Sequence, residues 1–374
     1  LKNNYIPMKI ICVHQSADMY GSDRSFLQVV KYLSQSADFK KITIVLPRSG
    51  PLVLELEKLN VDIRYLNLSL LSKTYLMKLQ WGKILFPLFQ FRTKKKLFNE
   101  YDVVYANTSV ILDFYLLAPF LHQMKIIHIR EIPNKTLGKV LSLFLRQAKS
   151  KIIFNSYSTL KSFEKLDNSV VIHNAFEGFG KDVASEMKKE ERPLRVLLIG
   201  RINGWKGQDF AIESLVNMKA SPVLLRIVGS TSAGNEDLVL QLKKKVEQLG
   251  LSNQVEFLDF VSDTAEIYAW SDVVIVPSTK PEPFGRIAIE AMSLYKPVIA
   301  ANHGGLTEII ENGVSGYLFE PNNTVSFVNA LSRYAGDRDL LEQHGKNAKR
   351  TYDEKFSLKG FYKKLDAVFK KEMV

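Results

Sequence analysis

The sequence predicts an α/β protein made of two doubly wound parallel sheets. Three observations carry that prediction. Short apolar runs alternate with helical patterns along most of the chain. The alternation pauses at a Lys- and Glu-rich stretch over residues 178–192, ahead of Pro193, and then restarts. A length of 374 residues exceeds what one ordinary core organises. The expected boundaries are residues 1–177 for a first domain, 178–192 for a linker and 193–354 for a second domain.

The first domain opens with Met8-Lys9-Ile10-Ile11-Cys12-Val13-His14, an apolar run that reads as a strand. A polar loop over 15–23 leads into a helix over 24–33, with the stripe Phe26, Leu27, Val30 and Leu33. Gly21 in that loop would let backbone approach a phosphate at a helix start; a plain turn explains it equally well. Further strands are expected at 42–46, 62–66, 102–106, 125–129, 151–155 and 170–173. Helices at 51–59, 138–148 and 158–165 lie among them. Residues 69–98 stand apart, mixing large apolar and aromatic residues with Lys73, Lys78, Lys83, Arg92, Lys94, Lys95 and Lys96 and no acid. That mixture suits a segment in a membrane interface, and equally a core helix pair with basic edges, broken at Pro87.

After the linker, strands are expected at 194–199, 223–228, 255–258, 273–276, 298–300 and 316–319. Helices are expected at 208–218, 237–249, 286–294, 325–334, 339–352 and 358–371. The run Asp272-Val273-Val274-Ile275-Val276-Pro277-Ser278 reads as a fully buried parallel strand.

Composition narrows the function classes. An apolar fraction of 46% and a charged fraction of 24% are globular values. No apolar run reaches the roughly 18 residues of a membrane span. Residues 1–7 lack the basic-then-apolar order of a signal peptide, and Met8 is a candidate natural start. The single cysteine, Cys12, excludes an intrachain disulfide and fits a cytoplasmic location. Residues 1–177 hold 25 Lys and Arg against 13 Asp and Glu, which accounts for the whole net charge of +12. An anionic partner of the first domain or a merely solvated basic face follows, and no nucleic-acid module accompanies the charge.

Chemistry collects at three turns of the second half, each after a strand. Gly200-Arg201-Ile202-Asn203-Gly204-Trp205-Lys206-Gly207 offers two cations for a diphosphate, Arg201 by bidentate contact and Lys206 as a point charge. Pro281-Glu282-Pro283-Phe284-Gly285-Arg286 precedes a helix holding Glu290. Its two carboxylates can accept from sugar hydroxyls beside a helix start that suits an anion; two surface glutamates is the plainer reading. Asn302-His303-Gly304-Gly305-Leu306-Thr307-Glu308 exposes backbone N–H groups ahead of another helix.

Together, Gly200-Arg201…Lys206-Gly207, the Glu-x7-Glu spacing of Glu282 and Glu290, and Gly304-Gly305…Glu308 resemble the retaining glycosyltransferases of family 4. The resemblance is clearest over residues 194–319. It extends more loosely to Gly21, His128 and Val171-Ile172-His173-Asn174-Ala175. It implies the GT-B fold: two Rossmann-like domains facing a central cleft, the first for acceptor and membrane, the second for the nucleotide sugar. The helix over 355–374 would pack back on the first domain. Arg201 and Lys206 would neutralise the diphosphate, Glu290 would bind the ribose, and Glu282 would contact the donor sugar. Backbone N–H groups of Phe284 and Gly285, and those of Gly304 and Gly305, would lie near sugar or phosphate. Gly21 would approach the diphosphate, His128 would face the donor sugar, and residues 255–261 would meet the base. Arg130 and Glu131 would be candidates for acceptor or donor contact.

The resulting expectation is a retaining, metal-independent transferase that needs no cofactor and takes a UDP- or GDP-sugar. Its acceptor would be a glycan or a polyprenyl-diphosphate-linked glycan in capsule- or O-antigen-like polysaccharide synthesis. It would be cytoplasmic, peripheral on the anionic inner face of the cell membrane, with no nucleic-acid partner. Two other readings remain: a non-catalytic sugar-nucleotide or glycan-binding protein, and an epimerase or phosphorylase on the same fold.

Overall fold

A computed structural model describes residues 7–71, 82, 89–180, 192–218, 223–231, 235–261 and 263–371. The chain divides into two units, Leu1–Asn174 with Tyr362–Val374, and Ala175–Phe361. Each is built on a parallel sheet, as the alternating pattern predicts.

Unit 1 holds seven strands among its described residues: β1 (Met8–His14), β2 (Phe39–Leu46), β3 (Asp62–Tyr65), β4 (Val103–Asn107), β5 (Met124–Ile129), β6 (Lys151–Phe154) and β7 (Ser169–Val171). Their order is β3-β2-β1-β4-β5-β6-β7, so the winding reverses between β1 and β4. Parallel register places His14 beside Asn107, and Asn107 beside His128. Three polar residues thus line up at the carboxyl ends of β1, β4 and β5, where doubly wound sheets bind ligands.

Helix α1 (Gly21–Gln35) begins three residues before the expected start, so Gly21 lies in its first turn and not in a loop. Asp23 explains the difference, because its carboxylate accepts from Tyr20 N at 2.9 Å and caps the turn. Then follow α2 (Pro51–Leu56), α3 (Phe91–Phe98), α4 (Leu112–Leu117), α5 (Lys135–Ala148) and the single turn α6 (Tyr157–Leu160). Asn134 caps α5 by accepting from Leu137 N at 2.8 Å, which moves that start ahead of residue 138. Most of the basic segment over 69–98 lies outside the described residues. Within the described part Lys94 is neither a membrane-facing cation nor a basic edge: it is buried, with Nζ 2.7 Å from Asp113 Oδ1 and 2.6 Å from the Asn67 carbonyl. An ammonium turned inward against a carboxylate ties α3 to α4 and is not offered to a membrane or a nucleic acid.

Unit 2 orders β8 (Leu194–Ile199), β9 (Val223–Val228), β10 (Val255–Leu258), β11 (Val273–Val276), β12 (Val298–Ala301) and β13 (Gly316–Phe319) as β10-β9-β8-β11-β12-β13. The winding reverses between β8 and β11. The helices are α7 (Gln208–Leu215), α8 (Asp237–Gln248), α9 (Ala265–Trp270), α10 (Arg286–Ser293), α11 (Leu306–Ile309), α12 (Thr324–Gly336) and α13 (Arg338–Lys355), and α14 (Leu358–Lys371) runs on into the residues grouped with unit 1. Helices α4 and α9 escape the sequence pattern because six residues are too few to display a 3.6-residue period. The expected linker over 178–192 lies, apart from 178–180 and Arg192, outside the described residues.

At the amino end of this second sheet sits a buried charge cluster. Arg192 donates to both oxygens of Asp272, at 2.7 and 2.8 Å, and Arg195 N and Arg338 add bonds at 2.9 and 3.3 Å. Burial would raise the Asp272 carboxyl, but those donors hold it below its ordinary value. Lys296 lies nearby, 2% exposed. Burial pushes its ammonium down to about 8, with Asp272 opposing and Arg192 and Arg195 assisting.

Candidate active site

The carboxyl edge of the second sheet gathers the sequence's best candidates at the winding reversal. The loop after β8 carries Arg201 and Lys206, and the loop after β11 carries Glu282. They meet: Lys206 Nζ lies 2.6 Å from Glu282 Oε1. The close approach depends on Gly207, at φ +82°, where a Cβ would stand 1.9 Å from the Pro277 carbonyl oxygen. Lys206 Nζ also sits 4.6 Å from the centre of the Trp205 ring.

Glu282 is 5% exposed and has a second donor, Ser278 Oγ, at 2.6 Å from the same Oε1. His303 Nε2 lies 2.9 Å from the Ser278 carbonyl. A carbonyl only accepts, so the His303 proton is on Nε2. Burial holds the ring below its usual pKa, and Nδ1 has no partner among the described residues. Gly304 packs on this loop, since a Cβ there would lie 2.3 Å from the Glu282 carbonyl oxygen, and Gly305 N donates to that oxygen at 2.8 Å. The glycine pair therefore locates the Glu282 loop.

Glu290 is engaged separately on α10. Tyr268 OH donates to Oε2 at 2.9 Å, and Arg286 reaches Oε1 through Nε and Nη2 at 3.1 and 2.9 Å. The carboxylate is thereby fixed, with lone pairs remaining for hydroxyl donors. Phe284 turns its side chain into the core against Phe356, at 5.9 Å between ring centres. Gly285 caps α10 in the left-handed conformation. Ser278, Tyr268 and Arg286 were missed by sequence reasoning. The i,i+4 spacing of Arg286 and Glu290 was a visible signal for one of them.

Unit 1 carries its own polar cluster. Asp23 accepts from His14 Nε2 at 2.8 Å and from Ser16 Oγ. Burial would raise the Asp23 carboxyl, but these bonds bring it below its ordinary value. Arg130 Nε donates to Asn107 Oδ1 at 2.7 Å, which turns the amide nitrogen toward His14 Nδ1, 2.9 Å away. His14 Nδ1 therefore accepts, and the His14 proton lies on Nε2. Arg130 Nη2 approaches His128 Nδ1 at 3.1 Å, and Tyr105 OH does so at 2.9 Å. Arginine only donates, so His128 carries its proton on Nε2, and burial together with Arg130 keeps the ring neutral. That buried N–H has no partner among the described residues. Arg130 also donates to Asn174 Oδ1 at 2.5 Å. Glu131 accepts from Ser109 N and Oγ at 2.9 and 2.7 Å. The two acceptor-side candidates are thus internal props of this cluster.

Among the described residues no group of three His, Cys, Asp or Glu is placed to hold a metal ion. Two doubly wound parallel sheets, of seven and six strands among the described residues, are the architecture of the GT-B class. Residues 181–351 match the family Glycosyl transferases group 1. That stretch belongs to the family, and the activity it carries is that of a family 4 glycosyltransferase, which moves a sugar from a nucleotide-sugar donor.

An uncharacterized glycosyltransferase of Methanocaldococcus jannaschii, MJ1607, is 25% identical over 73% of this chain and 76% of its own length. The D-inositol 3-phosphate glycosyltransferase of Geodermatophilus obscurus is 34% identical over 40% of this chain, a match that spans only 35% of that protein. The crystal structure of Anabaena Alr3699/HepE in complex with UDP and glucose superimposes with a TM-score of 0.81 at 24% identity, covering 97% of this chain and 99% of that one. The apo lipopolysaccharide outer core galactosyltransferase WaaB gives 0.73 at 16% identity, covering 97% and 100%. At these identities the two structures speak for the fold.

Proposed function

We propose that the chain transfers a hexosyl or related sugar, with retention and without a metal ion, from a UDP- or GDP-sugar to a glycan or polyprenyl-diphosphate-linked acceptor. The product would be a capsule- or O-antigen-like surface polysaccharide. One observation carries the reading: the Arg201–Lys206 loop and the Glu282 loop meet at the sheet's winding reversal, with Glu290 fixed on the helix that follows. Arg201, Lys206 and the start of α10 stabilise the leaving diphosphate as the bond from C1 to the phosphate oxygen breaks. The acceptor oxygen bonds C1 on the same face, and its proton goes to the departing phosphate oxygen. Glu282 holds sugar hydroxyls and Glu290 the ribose. Backbone N–H groups of Phe284, Gly285 and Gly304 serve phosphate or sugar, whereas the expected Gly305 N–H is spent on the Glu282 carbonyl and acts by holding that loop. In unit 1 the part of His128 is its Nε2–H, a donor to a sugar oxygen, and the part of Gly21 is an exposed helix start. The Anabaena structure with UDP-glucose shares this fold, and its ligand makes a UDP-sugar the first donor to try.

The test is nucleotide release from UDP-, GDP- and ADP-sugars in the presence of a chelator. One donor is expected to turn over, and Glu290→Ala should weaken its binding about tenfold through lost ribose bonds. Turnover abolished by chelation and restored by Mg²⁺ or Mn²⁺ would contradict metal independence. Release unaffected by the substitution would remove Glu290 from the site.

The surface of unit 1 supports a location on the inner face of the membrane. Arg92 and Lys96 on α3, and Lys135 and Lys139 on α5, are exposed, as are Phe120, Val140 and Leu143. Helix α4 packs against both α3 and α5, so these residues share one region. Among the described residues no helix is long and apolar enough to cross a membrane. Such a mixed surface binds anionic lipid peripherally. Flotation with phosphatidylglycerol vesicles at low salt should carry the protein upward, and Val140→Glu with Leu143→Glu should abolish it. Protein remaining at the bottom with wild-type sequence would refute the location.

A further inference from the structure

We propose that Ser278 is a positioning residue, which holds the Glu282 carboxylate once Lys206 has been surrendered to the donor's diphosphate. Both residues reach one oxygen, Glu282 Oε1, at 2.6 Å. Their chemistry separates their fates. An ammonium is drawn strongly to a diphosphate, whereas a neutral hydroxyl is not. Their mobility differs as well. The Lys206 side chain is 18% exposed on a flexible stem, while Ser278 is 1% exposed, and its carbonyl is pinned by His303 Nε2.

The site is therefore self-neutralised, since the cation meant for phosphate pairs with the carboxylate meant for sugar. A donor must break this pair, and the carboxylate then loses one of its two anchors. The Ser278 hydroxyl remains on Oε1 and leaves Oε2 to accept from a sugar hydroxyl. Trp205 lies against the same ammonium, with its ring centre 4.6 Å from Nζ. The inference rests on the nucleotide-sugar reading given above.

Calorimetric titration with UDP and with GDP, neither carrying a sugar, tests the exchange. Glu282→Gln should bind the preferred nucleotide at least about fivefold more tightly, because Lys206 is already released. In a Lys206→Met background the same substitution should give no such gain. An equal gain without Lys206 would mean simple repulsion by the carboxylate, and no gain would mean no exchange; either overturns the proposal. Ser278→Ala should keep nucleotide affinity and melting temperature near wild type. Its kcat on the sugar donor should fall about tenfold with little change in KM, and Ser278→Thr should restore most of it. A Ser278→Ala protein that loses melting temperature and nucleotide binding together has lost a fold contact, and one with unchanged kcat has lost nothing; both refute the assignment. Wild-type protein that binds neither nucleotide refutes the donor reading itself, and this one with it.

Discussion

Lys206→Ala is expected to lower sugar transfer by about a hundred- to a thousandfold, the usual cost of removing one group aimed at developing charge. The side chain sits where β8 and β11 diverge, in a loop held down by Gly207 and by the Asn203 side chain, which accepts from Lys206 N at 3.0 Å. The leaving diphosphate gains charge as the sugar departs, so a cation seated on it lowers the barrier more than it tightens ground-state binding. The loss should therefore fall mainly on kcat. Lys206→Arg should recover part of it, since the charge returns with a different shape. Single-turnover kinetics with saturating donor would decide, and a change below about threefold would take Lys206 out of the chemistry.

Lys296→Met is expected to stabilise the protein at pH 7. The distance between about 8 and the ordinary 10.5 of a lysine corresponds to about 3 kcal/mol held against the buried ammonium. Asp272 keeps Arg192 and Arg338 after the substitution, so no carboxylate is left alone. Replacing buried charge by apolar volume is often neutral or favourable. The pH dependence fixes the sign. Below about 8 Lys296 is charged in both states, and the folded state bears the full penalty. Between about 8 and 10.5 the folded protein has released the proton while the unfolded chain still binds it, so wild-type stability rises with pH. The advantage of the methionine variant should accordingly fade across that range. Chemical denaturation at pH 7 and pH 10 reads both, and a variant less stable at pH 7 would show that Asp272 needs the lysine.

The sequence made the second unit's site more visible than the first's. Arg201 and Lys206 lie in one short turn, and Glu282 and Glu290 on one turn and its helix, so spacing alone exposes them. Tyr268, which fixes Glu290, comes from the helix before β11 and sends no local signal. In unit 1 the functional order is set by register. His14 and Asn107 are 93 residues apart, and only parallel pairing makes them neighbours. Arg130 is expected from the resemblance as a candidate for acceptor or donor contact, and nothing local shows that it organises the buried amide of Asn107 and the His128 imidazole. The burial of Lys94 is equally hidden, because its carboxylate partner Asp113 lies on another helix.

The two units are not consecutive in the chain. Tyr32 of α1 packs on Tyr362 and Phe369, at 5.5 and 5.9 Å between ring centres, and Phe39 meets Phe369 at 5.6 Å. Residues 175–361, a full unit in themselves, are synthesised between these partners. On the ribosome the second unit can close as soon as its own segment has emerged. The first must wait with the apolar flank of α1 and β2 uncovered until residues 362–371 arrive. Nascent chains stalled before Tyr362 would thus present a finished second half and a first half still open to chaperones.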